Sequence, residues 1–309
     1  MPSWILLMLL AVVGGAAFIT FYIAFLAVKR DLNPLDTPFG GCYAEHWDKT
    51  KPLIEDVENL PCEHVSIQSR DGLTLHARYY HQADGAPLHI QFHGYRSMAS
   101  RDFCGGHGLA RRMGHNILLV DQRAHGHSEG RIITFGIRER YDCLDWCRWA
   151  AQRYPDSRIL LCGVSMGAAT VLMASDLPLP DAVRGIMADS PYTTPSAIIR
   201  KVCVQDMHIP AWLGMPLLHL GAAVFGHFRI GSASAITSVQ HTRVPLLIMH
   251  GEGDTFVPCE MGREIAAASA APATLVTFPE ADHAQGYLVR PQAYEQAFCD
   301  FVQEVLKDE

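Results

Sequence analysis

Gly163-Val164-Ser165-Met166-Gly167 is the segment of this chain best equipped for covalent chemistry. It follows the apolar run Ile159 to Cys162 and opens the helix-like stretch Ala168 to Ser175. A G-x-S-x-G pentapeptide between a strand and a helix is a nucleophile elbow: the turn is too tight for side chains beside the serine, whose Oγ is pushed clear of the sheet. A serine hydroxyl is a poor nucleophile and needs a base held by an acid. In this arrangement the order along the chain is serine, acid, histidine. His283 follows the apolar run Thr274 to Phe278, and Asp254 follows the run Pro245 to Met249. Both fall in loops after a strand, where catalytic groups collect in an open α/β sheet. Glu252 and Asp282 are rival acids, although Asp282 adjoins the histidine in sequence and neighbouring side chains rarely face one another. An oxyanion would be held by the N–H after the nucleophile, on Met166, and by one from the loop His93-Gly94-Tyr95-Arg96-Ser97, where Tyr95 is the candidate. His93 reads as a structural loop histidine.

The elements that must position these residues follow from hydrophobic period. His64 to Gln68 and Leu73 to Tyr79 alternate with period two around Asp71-Gly72, a hairpin signal. After Pro87, short apolar runs (Leu88 to Phe92, Asn116 to Val120, Arg158 to Cys162, Val183 to Ala188, Pro245 to Met249 and Thr274 to Phe278) alternate with helical stretches. The helical stretches include Tyr141 to Arg153, Ala168 to Ser175, Glu260 to Ala270 and Tyr294 to Leu306. This alternation predicts an α/β domain over 61–309 whose mostly parallel sheet is flanked by helices. Between Pro191 and Gln240 no strand is readable. That apolar segment, interrupted by Pro195, Pro210 and Pro216, is expected to be a helical lid, with Trp212, Leu217 and Phe225 facing an acyl group.

Trp4 to Val28 carries no charged side chain and is long enough to cross a bilayer as a helix. Nothing basic but the α-amine precedes it, so residues 1–30 read as an uncleaved anchor rather than a signal peptide. Lys29 and Arg30 follow the span, which places the domain on the cytoplasmic side of the cell membrane, single-pass. Residues 31–60 read as a linker broken by Asn33-Pro34, Thr37-Pro38 and Gly40-Gly41. On that reading it is a tether, and a chain starting near Asp31 would be soluble and active. A second span over Met207 to Ile230 is rejected because His208, His219, His227 and Arg229 are costly in lipid, while contact of this stretch with the bilayer surface stays open.

The chain has 309 residues and a formal net charge of −7, without a basic face for nucleic acid. Its nine cysteines have no zinc spacing and read as reduced and structural. No metal is expected, since His125-Gly126-His127 lacks carboxylate partners, and no cofactor, since Gly105-Gly-His-Gly108 follows no strand.

The motifs together resemble the alpha/beta hydrolases, most closely the serine-aminopeptidase-like and Bem46-like groups and their N-terminally anchored bacterial branch. The residues that carry the resemblance are His93-Gly-Tyr95, Asp121 to Gly130, the 163–167 elbow, Asp189-Ser-Pro-Tyr192, His250-Gly-Glu-Gly-Asp254 and Asp282-His283. They extend over roughly 60–305. The resemblance implies the alpha/beta-hydrolase fold, Ser165, Asp254 and His283 as the triad, and Tyr95 and Met166 as oxyanion donors. It leaves the substrate open. The expected activity is carboxylic ester hydrolysis through an acyl-enzyme, on a small-molecule ester that the anchor makes lipid-derived. A peptidase or amidase with the same triad and a non-catalytic, membrane-tethered binding protein are the alternatives.

Overall fold

The computed structural model describes residues 2–27, 33–35 and 45–307. Lys29 and Arg30, on which the expected orientation rests, lie outside them.

The chain opens with α1 (Ser3–Phe25) and α2 (Trp47–Asn59), then the antiparallel hairpin β1 (Glu63–Gln68) and β2 (Thr74–Tyr80). Its turn is held by Ser69 Oγ on Asp71, with Gly72 at φ +86°, a value that favours glycine. The alternating part follows: β3 (Leu88–Phe92), α3 (Ala99–Asp102), α4 (Cys104–Arg112), β4 (Asn116–Val120), α5 (Glu139–Arg153), β5 (Ile159–Val164), α6 (Met166–Ala174), β6 (Val183–Asp189), α7 (Pro195–Lys201), α8 (Ala211–Val224), α9 (Ala235–Ser238), β7 (Leu246–Gly251), α10 (Cys259–Ala268), β8 (Ala273–Phe278), α11 (Gly286–Val289) and α12 (Pro291–Val305). The eight strands form one sheet in the order β1-β2-β4-β3-β5-β6-β7-β8. β2 pairs antiparallel with both neighbours, and every pair from β4 to β8 is parallel. The fold class expected from the apolar rhythm is therefore present. β3, β4 and β5 are buried at every position, as a parallel strand covered on both faces must be. The sheet separates two apolar layers, one around Trp146, Met166 and Leu172, the other around Phe103, Leu160 and Phe298.

Three expectations need correction. Residues 31–60 are not linker throughout, because 47–59 form α2. Its apolar face (Ile54, Val57) packs on the α/β domain, and its acidic residues bond to that domain's arginines, Glu58 to Arg78 and Asp56 to Arg111. The segment 191–240 does lack strands, but α8 packs against α1. Finally, the last third of α1 does not hang free. Ala17, Phe21 and Phe25 are buried in the main core. Phe25 meets Phe135 and Phe228 edge-on with ring centroids 5.7 and 5.2 Å apart. The chain then continues as a short strand-like contact, with Ile133 N–H donating to Phe25 O and Ala27 N–H to Arg131 O. Apolarity alone marked α1 as a span; the aromatic spacing Phe18, Phe21, Phe25 also gives it one face that fits the protein.

Candidate active site

β5 delivers Ser165 at the C-terminal edge of the sheet, and α6 begins at the next residue. Ser165 is held at φ +55°, ψ −113°, a strained conformation for a side chain and the mark of an elbow. The flanking glycines are required by contact. A Cβ on Gly163 would lie 2.3 Å from Gly167 O, and one on Gly167 would lie 1.8 Å from Phe92 O.

The structure brings the three expected side chains into one hydrogen-bonded chain. Ser165 Oγ lies 2.9 Å from His283 Nε2, and His283 Nδ1 lies 2.8 Å from Asp254 Oδ2. The second oxygen of Asp254 accepts from the N–H groups of Phe256 and Val257 at 2.9 and 2.6 Å. Burial pushes the Asp254 carboxyl up, but hydrogen bonds from His250 and His283 outweigh it and hold the group well below the usual carboxylate range. It is thus an ionised, buried acceptor facing an imidazole. The rival acids are engaged elsewhere: Asp282 accepts from Thr255 and from its neighbour's N–H, and Glu252 from Thr277 Oγ1.

Tyr95 and Met166 both flank Ser165. In the Tyr95 loop, Gly94 N–H donates to Asp102 at 2.6 Å and Arg96 N–H to His125 Nε2 at 3.0 Å. Tyr95 N–H and Met166 N–H, the latter at the first position of α6, have no acceptor among the described residues. Two donors without partners beside the serine oxygen can hold a developing negative charge.

Asp102, which sequence reasoning passed over, and His93, which it read as a structural loop histidine, set this loop together with His125. Asp102, half-buried and bonded to both Gly94 N–H and Ser97 Oγ (2.6 Å each), pins its first turn. His93 accepts from Gln122 N–H at Nε2 and so donates from Nδ1 to Gly94 O. His125 does the same between Arg96 N–H and Arg123 O. Burial holds the two rings neutral, with pKa values depressed to about 4 and about 3. Both nitrogens of each ring are occupied, so neither is a second base. Tyr95 itself donates from its hydroxyl to Ala24 O in α1 at 2.7 Å, and the Arg96 guanidinium donates to Ile23 O and Leu26 O at 2.7 and 2.8 Å. The loop of the candidate oxyanion donor is thus braced by the end of α1. The backbone carbonyls that receive these bonds leave no trace in sequence.

A cleft of about 800 Å³ opens at Ser165, lined among others by Tyr95, Arg101, Phe256, His283 and Val289. Phe256 meets the His283 ring edge-on at 5.1 Å. No residue of 191–240 lines this cleft, and Trp212, expected at the acyl group, is 78% exposed. Phe225, also expected there, packs instead on Phe18 and Phe21 of α1. A second cleft of about 1020 Å³, lined by residues such as Pro180, Arg243 and Lys307, lies at the opposite end of the sheet and contains none of these groups.

Comparison with known proteins agrees with the topology. A family model described as the alpha/beta hydrolase fold matches residues 92–230. The chain is 22% identical over 191 residues to the uncharacterized protein YqkD of Bacillus subtilis, covering 62% of this chain and 63% of that protein, so the match spans under two thirds of that relative. It is 25% identical over 260 residues to the uncharacterized protein YfhR of Salmonella typhi, covering 79% and 82%. Among solved structures, the Pyrococcus furiosus esterase Pf2001 superposes with a TM-score of 0.66 at 20% identity, covering 92% of this chain and 99% of that one, a likeness of fold. The sheet order, the strained serine turn between β5 and α6 and these matches together make the chain an alpha/beta hydrolase in fold, the superfamily its sequence resembles.

Proposed function

We propose that this protein is a membrane-anchored serine hydrolase that cleaves carboxylic esters through an acyl-enzyme on Ser165. The observation that carries the reading is the continuous bonding from Ser165 Oγ through His283 to Asp254, next to two unengaged N–H groups. His283 takes the serine proton as Oγ attacks the ester carbonyl, and Asp254 orients the ring and stabilises the imidazolium. The Tyr95 and Met166 N–H groups hold the oxyanion. The proton returns from His283 to the departing alkoxide, and water activated by the same ring then releases the acid.

The esterase identity of a structural neighbour supports ester over amide chemistry, although that likeness is one of fold. The anchor reading rests on α1, 23 residues without a charge whose N-terminal two thirds faces outward. An amphiphilic, membrane-partitioned ester suits an enzyme held at that surface. The cytoplasmic side is proposed from Lys29 and Arg30 in the sequence, and digestion of the domain by protease added outside intact cells would refute it.

The deciding experiment is labelling by a fluorophosphonate probe. The wild-type chain should label and hydrolyse p-nitrophenyl esters faster than aminoacyl amides. Ser165→Ala should remain folded, fail to label and lose on the order of a thousandfold or more in kcat. Full labelling of Ser165→Ala would remove the serine assignment, and absence of labelling in the wild type would favour a binding protein on a hydrolase fold.

A further inference from the structure

We propose that α8 is a second membrane-embedded element: its outward face, built from Trp212, Leu213, Leu220 and Val224, lies in the lipid of the same leaflet that α1 enters on the domain side. The inference rests on the anchor reading of α1 and adds to it a surface that sequence analysis had assigned to substrate.

The first argument is one of length. At about 1.5 Å per residue, α1 measures roughly 34 Å, close to a hydrocarbon core of about 30 Å. Yet its contact with the domain begins well inside that length. A Cβ on Gly221 would stand 2.5 Å from Ala17 O, and the Phe225 ring lies 5.2 and 5.9 Å from the rings of Phe18 and Phe21. If all of the domain lay in water, only residues 3–16 could occupy the bilayer, about 21 Å, too short to cross. For α1 to span, its junction with α8 must lie within the leaflet, so α8 lies there too. A glycine under the partner's backbone is how helices approach closely in lipid.

The second argument is the surface of α8. A helix on the outside of a soluble domain turns polar residues to water. α8 is apolar on both sides: Leu218 and Ala222 face inward, while Trp212 is 78% and Val224 50% exposed. His219 is its one titratable residue. The charges nearest in the chain before it, Lys201 and Asp206, are paired with each other at 2.8 Å.

The third argument fixes the boundary. The ends of the two helices meet, Phe25 against Phe228. An arginine caps each end: Arg96 donates to Ile23 O and Leu26 O, and Arg138 to Gly226 O and His227 O at 3.1 and 2.9 Å. Two guanidinium groups, each on carbonyls at or just past the end of one helix, mark where hydrocarbon gives way to headgroups. Arg96 neighbours Tyr95 in the loop over Ser165, so the cleft opens at this level and an amphiphilic ester reaches the serine from the interface.

The test uses the full chain reconstituted in phosphatidylcholine vesicles, beside Trp212→Phe; the difference between their emission spectra isolates Trp212. In vesicles brominated on the acyl chain near the headgroup, that difference emission should fall about twofold or more and should be blue-shifted and protected from aqueous acrylamide. Emission typical of water, quenched by acrylamide and insensitive to bromine, overturns the proposal. Protection from both quenchers, with cross-linking to a dimer, overturns it in favour of a second copy of the chain. Carbonate-resistant association with the vesicles reports α1 separately. If it persists while Trp212 stays in water, the anchor reading stands and the α8 proposal falls; if association is lost, both fall.

Discussion

Replacing Phe25 by alanine measures how firmly α1 is built into the α/β domain. Phe25 is fully buried, with Phe21, Phe135 and Phe228 around its ring at centroid distances of 5.2 to 5.9 Å. Truncating such a side chain removes its transfer free energy and leaves a cavity, a cost of about 3–5 kcal/mol. For a domain of this size that corresponds to a fall in Tm on the order of 10 °C. The damage should also travel. Phe135, which Phe25 supports, stacks on Tyr95 at 4.9 Å, and Tyr95 bonds to Ala24 O one residue away. Loosening the end of α1 therefore loosens the loop that offers the Tyr95 N–H. The assay is thermal unfolding of the detergent-solubilised full chain, with kcat measured on a short, water-soluble ester that needs no membrane. Ile19→Ala is the control, since Ile19 is 58% exposed and a change there should cost less than about 0.5 kcal/mol in detergent. Phe25→Ala should lower both Tm and kcat while Ile19→Ala changes neither. If the two variants behave alike, the helix end is not docked in solution, and the simple tether expected from the Pro- and Gly-containing stretch is the correct description.

Asp254→Asn should leave a folded protein with kcat reduced about ten-thousandfold, as removing the orienting charge does in such triads. Asp282→Asn, which loses only bonds to Thr255 and a backbone N–H, should stay within a few fold in kcat, and the reverse pattern would show that the acid is misassigned. Stability should fall as pH drops from about 6.5 toward 4, because the unfolded chain takes up protons in that range while buried His93, His107 and His125 do not, their pKa values being depressed to about 4, 3 and 3. The slope is about 1.4 kcal/mol per pH unit for each such histidine. His107→Leu removes a ring that lies edge-on to Tyr80 without a hydrogen bond, so it should flatten the dependence of Tm on pH; an unchanged slope would show that the ring is not held neutral. Trp212→Ser and Leu217→Ser should leave KM for soluble short- and long-chain esters alike, because neither residue lines the cleft; a selective rise for long chains would restore the lid to substrate binding.

What the sequence determined by itself is what local chemistry dictates. The elbow needs glycines because backbone atoms a few residues away, or on the adjoining strand, would touch a side chain, and that requirement is written into 163–167. The strands were legible because burial on both faces of a parallel sheet favours short, strongly apolar runs, and Leu88–Phe92 and Asn116–Val120 match their observed limits residue for residue even though Leu88–Phe92 buries His89 and Gln91. α2 escaped because it sits behind three breakers and carries Pro52 in its interior, and it becomes a helix by packing on the domain. The sequence favoured Asp254, by its place after the run Pro245 to Met249, over the rivals Glu252 and Asp282, but only spatial position reveals which carboxylate faces His283 across 29 positions of sequence. The tertiary structure alone decided that the end of the apolar helix α1 braces the Tyr95 loop. Hydrophobicity records that a surface avoids water; it does not record whether lipid, substrate or another part of the chain covers it. For Phe25 the answer is the protein core, and for Phe225 it is α1 rather than an acyl chain, because covering an apolar face is a long-range event that no local spacing encodes.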